Sequence, residues 1–213
     1  TSQSNDDSVQ HSFTLAQTLY GVDTEDSTLN TNFGDGLAMS KDGTTLIITA
    51  PGHDDSSAAD SGVVYYYKWN ADGSTNTYTL QQTITAPDKT ANVKFGSAVA
   101  INNDGKRIVI GAEGLASSRI MKVDSGETTF DLQDTSFTEL NIGSGGAYTA
   151  TMYNTKYVID QRLHADQVTA NDDFGRGVCV IDNTVLVGAP SDDGNIDASD
   201  GSSKISNDGT VHC

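Results

Sequence analysis

The chain has no hydrophobic run near the roughly 18 residues that a membrane-crossing helix needs, and only two cysteines and three prolines among 213 residues. Its 12 basic residues face 29 acidic ones. Each shortage closes a class of function. Without a long apolar run no segment is expected to insert in a bilayer as a helix. Cys179 and Cys213 are too few for a disulfide framework; Cys179 is read as a small packed thiol. A formal net charge of -17 leaves no basic stripe for nucleic acid or an anionic membrane surface, and favours divalent cations and basic partners instead. Helical periodicity is lacking as well, since no segment places apolar residues at i, i+3, i+4, i+7 behind a cap. Catalytic signatures are missing: there is no G-x-S-x-G, H-E-x-x-H or P-loop, and Gly143-Ser144-Gly145-Gly146 has neither the spacing nor the helix context of a dinucleotide loop. His11, His53, His164 and His212 fall in separate strands and loops, with no nucleophile or orienting group tied to them. The chain is expected not to be an enzyme.

What remains is rich in glycine, 21 residues, and in short runs that alternate apolar and small residues. These runs recur. Phe33-Gly34 leads to Thr49-Ala50-Pro51, Phe95-Gly96 to Gly111-Ala112-Glu113, and Phe174-Gly175 to Gly188-Ala189-Pro190. A unit of this kind cannot bury its own apolar face, so units must stack. Within each, Leu37 and Met39, Val99 and Ile101, and Val178 and Val180 flank the small residues Ala38, Ala100 and Cys179. That alternation marks a first strand crowded on both sides. A turn follows at Lys41-Asp42-Gly43, Asn103-Asp104-Gly105 and Asp182-Asn183, where Asp-Gly is a strong hairpin signal. Second strands run over Thr45 to Ile48, Arg107 to Ile110 and Val185 to Val187. Third strands open on a glycine: clearly at Gly62, weakly at Gly146, and again at Gly209.

Fourth strands repeat as SFTLAQTLYG, TYTLQQTITA and KYVIDQRLHA. Phe13, Tyr78 and Tyr157 superpose, as do Leu15, Leu80 and Ile159, then Gln17, Gln82 and Gln161, then Leu19, Ile84 and Leu163. Strict alternation puts the three apolar positions and the glutamine on one face. A half-buried amide needs partners, so the glutamines are read as structural ties to neighbouring loops, or else as exposed edge positions. In the aromatic run, Tyr66 points to one face and Tyr65, Tyr67 and Trp69 to the other, with at least one face expected in an inter-unit core.

Phe-Gly, then Gly-Ala-Pro, then Gly-x-Val-Tyr, in register, resembles the FG-GAP repeat of integrin-α-type β-propellers. The resemblance covers nearly the whole chain and implies an all-β fold of blades with four antiparallel strands arranged radially. Departures are Thr49 for the first Gly, Glu113 for Pro and His212 for Tyr. The repeats are spaced more widely than the roughly 40 to 50 residues of common propeller blades, which insertions explain. Residues 1–213 form one propeller section of about three blade equivalents. The outer strand of a preceding or closing blade lies in 1–21, a blade in 33–86, a blade with an inserted hairpin near 114–145 in 95–165, and an incomplete blade in 174–213. Closed propellers have typically 4 to 8 blades, so this chain is expected to be part of a larger propeller, or to have blades completed by other subunits.

Many FG-GAP blades hold calcium between their first and second strands, but here those turns lack the acidic ligands. A partial match lies at Asp193, Asn195 and Asp197, with Asp200 nearby, and a weaker one at Asp54, Asp55 and Asp60; Ca²⁺ is the candidate cofactor of both. A solvated acidic loop is the competing reading at each. The function expected is a structural or adhesive module that contacts proteins or copies of itself on an extracellular, cell, virion or filament surface. The alternatives are a glycan-binding, lectin-like propeller and an accessory domain of a larger enzyme. Neither nucleic acid nor membrane insertion is expected.

Overall fold

The computed structural model describes residues 15–21, 30–56, 58–71, 76–87, 90–115, 144–164, 171–192 and 209–213. Every regular element among them is a β-strand. The first sheet is the meander β1 (Leu37–Met39), β2 (Thr45–Ala50), β3 (Val63–Asn70), β4 (Thr77–Thr85). The second repeats it as β5 (Phe95–Ile101), β6 (Arg107–Ala112), β7 (Gly146–Tyr153), β8 (Lys156–Leu163). A third sheet contains β9 (Gly177–Ile181), β10 (Thr184–Ala189) and β11 (Thr210–His212). All pairings within the three sheets are antiparallel, which is the all-β blade arrangement that the repeat implies. The inserted hairpin expected near 114–145 falls almost wholly outside the described residues.

Local chemistry explains the turns. Gly43 and Gly105 both sit at φ 71, a conformation that costs glycine nothing. The Ser40 hydroxyl accepts the Thr45 N–H at 3.0 Å, and the Asn102 side-chain oxygen accepts the Lys106 and Arg107 N–H groups at 3.0 and 2.9 Å. Hydrogen bonds from Ser40 and from Thr44 hold the Asp42 carboxyl below its usual range. The third turn is tighter. Ile181 pairs directly with Thr184, leaving only Asp182 and Asn183 between the strands, with Asp182 at φ 52.

Side chains from one sheet interleave with the next. Ile47, Val64, Tyr66 and Ile84 of the first sheet meet Phe95, Ile108, Ile110, Tyr148, Tyr157 and Ile159 of the second. A second seam joins Val109 and Ala147 to Phe174, Val180, Val187 and Ala189. On the far side of the first sheet, Tyr65 and Tyr67 are buried with Ile48, Ala50 and Val63, against Leu19 and Phe33. Both faces of the tyrosine run are therefore core. The inner strands obey one rule: the branched residues face the preceding sheet and the small one the following sheet. Val99 and Ile101 pack in the first seam, Ala100 in the second. At the ends of the row this rule leaves one side uncovered, so Leu37 and Met39 are 64% and 52% exposed. Cys179 is exposed too, which corrects its reading as a packed thiol, because its face points away from the second sheet.

Three expectations change in detail. The second repeat's third strand, read as weak, is the eight-residue β7. Its opening glycine is Gly145 rather than Gly146: Ala50, Ala112 and Ala189 pair with Val63, Gly146 and Thr210, so the preceding residues Gly62, Gly145 and Gly209 are equivalent, at φ 78, 83 and 70. The fourth strand does not keep one face. In β4 the pairing shifts between Tyr66↔Gln82 and Tyr67↔Leu80, with Gln81 as the extra residue. In β8 it shifts between Thr149↔Gln161 and Ala150↔Ile159, with Asp160 extra. Such a bulge reverses the side-chain alternation. Tyr157 and Ile159 accordingly pack backward into the first seam, while Leu163 packs forward into the second.

Candidate interaction surface

The bulge turns the glutamine toward the next sheet, and there it ties one outer strand to another. The Gln82 amide donates to the Tyr157 carbonyl at 2.8 Å and its oxygen accepts the Tyr157 N–H at 2.8 Å. Gln17 does the same to Tyr78, at 3.0 and 2.8 Å. A side-chain amide thus takes the place of a backbone partner in a two-bond clasp. Neighbouring loops, the partners expected from sequence, are not involved. The clasped tyrosine also reaches inward within its own sheet: Tyr78 Oη donates to the Gly43 carbonyl at 2.6 Å and Tyr157 Oη to the Gly105 carbonyl at 2.5 Å. Gln82 and Tyr157 together bind outer strand to outer strand and outer strand to inner turn.

Burial pushes the Tyr157 hydroxyl well up from its ordinary value of 10.0; burial also raises Tyr66, Tyr67 and Tyr78. The unfolded chain ionises near pH 10 while the folded one keeps these protons, so their contribution is complete below pH 10 and is lost as the pH rises above it. Tyr157→Phe removes one buried hydrogen bond and should lower stability by about 1 kcal/mol in urea denaturation at pH 7. The variant should also lose stability less steeply than the parent between pH 10 and 12. An unchanged alkaline slope would mean that Tyr157 ionises freely in the fold.

At the end of the sheets where the Phe-Gly and Gly-Ala-Pro segments cluster, a polar cavity of about 460 Å³ is lined by Asp35, Asp60, Lys94, Ser97, Glu113 and Arg176, among others. Glu113 stands where the repeat carries proline. Its carboxylate meets Lys94 Nζ at 3.0 Å and Arg176 Nε at 4.0 Å, and Arg176 also meets Asp173 at 3.2 Å. The departure from the repeat links the Phe-Gly turns of the second and third sheets. These pairs are partly exposed, and such pairs contribute about 0 to 1 kcal/mol each; the surface they form is charged, with its charges paired. A second groove, of about 710 Å³, runs between the second and third sheets past Arg107, Gln161, His164, Asn183, Val211 and Cys213.

Of the sequence's metal candidates, Asp193, Asn195, Asp197 and Asp200 lie outside the described residues. Asp54, Asp55 and Asp60 are close in the loop but occupied locally. An Asp54 carboxylate oxygen accepts the Asp60 N–H at 2.7 Å, Asp55 accepts the Ser56 hydroxyl at 3.3 Å, and Asp60 is at φ 49. Among the described residues no three His, Cys, Asp or Glu gather as a metal site. His53 is in the same loop and His164 borders the groove between the second and third sheets.

Sequence reading missed the bulge and the role of Glu113. Neither had a local signal: Gln81 and Asp160 are extra residues only against the partner strands β3 and β7. Compared with protein families, residues 78–127 and 157–204 match the FG-GAP repeat. Among curated proteins none matches the chain significantly.

Proposed function

Because the chain carries FG-GAP repeats, we propose that it acts as a non-catalytic protein-interaction module, a row of propeller blades presenting its loops on an extracellular surface. The single observation that supports this most is the division of labour in the structure. Seams of buried side chains and the Gln-Tyr clasps hold the blades rigidly, while the Phe-Gly and Gly-Ala-Pro turns present a charged rim. Rigid scaffolds with variable polar loops are how repeat proteins bind partners. No helix among the described residues is long and apolar enough to cross a membrane.

A photo-crosslinking residue at Ser97, on the cavity wall, should capture a discrete protein when the chain is added to its native source. Capture should fall at least tenfold in the double charge reversal Lys94→Glu, Arg176→Glu. Equal capture by the reversed variant would remove the loop rim from the interface. A glycan array showing specific micromolar recognition would replace this reading with the lectin-like one. Calcium is proposed only for the loop containing Asp193, Asn195, Asp197 and Asp200, which offers oxygens at alternate positions; calorimetry with no heat at millimolar Ca²⁺ would remove it.

A further inference from the structure

Two departures from the repeat meet at the polar cavity among the Phe-Gly turns. The residue after the motif glycine is Asp35 in the first motif and Arg176 in the third, but the small Ser97 in the second. Beside it Glu113 stands in place of proline and brings a backbone N–H that Pro51 and Pro190 lack. Ser97 Oγ accepts that N–H at 3.1 Å. The two changes fit each other. The serine satisfies the new donor, its short side chain leaves room in the cavity that Asp35 and Arg176 also line, and its own hydroxyl hydrogen is still available to a ligand.

Backbone hydrogen bonds hold the walls in place. Asn32, Asp60 and Lys94 line the cavity at φ 54, 49 and 52. A lysine in that left-handed region is uncommon. It is fixed from both sides, because the Lys94 N–H donates to the Asp60 carbonyl and the Ser97 N–H to the Lys94 carbonyl, each at 2.9 Å. Strain that the surroundings maintain points to use. Charge is divided between the sheets as well. Loops of the first sheet bring the carboxylates of Asp35 and Asp60, which have no ion-pair partner among the described residues. Turns of the second and third sheets bring Lys94, which meets Glu113 at 3.0 Å, and Arg176, which meets Asp173 at 3.2 Å. An ammonium has three N–H donors and a guanidinium five, so both cations keep donors for a further anion.

We propose that this cavity binds a free α-amino acid, its ammonium on the carboxylates of Asp35 and Asp60 and its carboxylate on Lys94, Arg176 and the Ser97 hydroxyl. An ammonium and a carboxylate on one carbon match a cavity whose unpaired carboxylates and spare N–H donors come from different sheets. A cation alone would leave the donors of Lys94 and Arg176 without an anion, and an anion alone would meet two unpaired carboxylates. Those carboxylates also disfavour an acidic side chain on the ligand. The volume, about 460 Å³, lies within the roughly 300 to 1,000 Å³ of small-molecule sites, and the hydrogen-bonded walls need no rearrangement. The site adds a small ligand to the interaction module and does not depend on it.

Calorimetric titration of the whole chain with L-alanine tests this, against propionate, which lacks the ammonium, and ethylamine, which lacks the carboxylate. L-alanine should give saturable heat at millimolar concentration, and each half-molecule should bind about tenfold more weakly or worse. L-glutamate should bind more weakly than L-alanine. Lys94→Asn and Asp60→Asn should each weaken L-alanine about tenfold or more, the loss of a charged contact. Asparagine already takes the left-handed position at Asn32, so both variants should keep the circular dichroism spectrum of the parent. Asp35→Asn, a change at an exposed residue, should weaken binding in the same way and leaves the fold untouched. Neither heat nor a melting shift with L-alanine would overturn the proposal, as would equal binding of either half-molecule or full binding by all the variants. A chain that fails with L-alanine yet still captures a protein through Ser97 would lose the amino-acid site and keep the interaction module. One that binds L-alanine and captures nothing would keep the site and lose the module.

Discussion

Gly175→Ala is expected to destabilise the protein by more than about 3 kcal/mol, whereas Gly34→Ala, the same substitution at the same motif position, should cost only the backbone strain. Both glycines follow the motif phenylalanine and adopt nearly the same φ, 94 and 93. A side chain in that conformation costs about 1 to 3 kcal/mol wherever it stands, so the pair shares this part. They differ in what surrounds them. A Cβ on Gly175 would lie 2.0 Å from the Gly146 carbonyl oxygen, in the backbone of the neighbouring sheet, while a Cβ on Gly34 meets nothing within 4 Å. Backbone in a packed seam cannot move aside as a flexible side chain can, so the second sheet and third sheet would have to separate. Native domains have only about 5 to 15 kcal/mol in total, and a loss of this size should lower the urea midpoint visibly. Equal effects of the two substitutions would show that the sheets do not meet this closely at Gly146.

Phe95→Ala should be the most damaging side-chain truncation, at about 3 to 5 kcal/mol in the same measurement. Phe95 is fully buried in the first seam and meets the Tyr148 ring edge to face, 5.4 Å between centroids at 66°. Its backbone presses against Gly62, where an added Cβ would lie 2.2 Å from the Phe95 carbonyl oxygen. The cavity left by truncation is walled by strands pinned on both sides, so it cannot collapse. The motif's first phenylalanine provides the comparison. Phe33 packs edge to face on Tyr65 at 5.5 Å but is only partly buried, because it caps the end of the row. Phe33→Ala should cost less than Phe95→Ala, and a reversed order would mean that the first seam is not the main core.

Much of this could be read before any coordinates. Apolar residues alternating with small ones around Ala38 and Ala100, and the Asp42-Gly43 and Asp104-Gly105 turns, are local signals, and they produced the strands and turns where expected. The repeated outer-strand sequence likewise appeared as β4 and β8. What failed to show were features that depend on a partner strand. A strand read alone has no means of revealing that Gln81 or Asp160 is one residue too many, since a bulge exists only relative to β3 or β7. The same holds for Gly145 and Gly146: two adjacent glycines match the motif equally well, and only pairing of Ala112 with Gly146 selects between them. Cys179 was misread because its exposure depends on the position of its sheet in the row and not on its strand pattern.

The candidate surface was less legible than the fold. Glu113 looked like a blemish in a Gly-Ala-Pro motif, yet its contacts with Lys94 and Arg176 join segments far apart in the chain, which no local pattern encodes. The repeated glutamine was visible, but its partner was not, because Gln82 and Tyr157 come together only when two sheets stack.

The sequence by itself determined that this protein is a series of β meanders with a repeated unit, because side-chain alternation and turn glycines act over a few residues. The tertiary structure alone decided which way each outer-strand residue faces and how one sheet is tied to the next. Those follow from the bulges and from contacts such as the Gln82 side chain on the Tyr157 backbone, set by how neighbouring sheets meet in space.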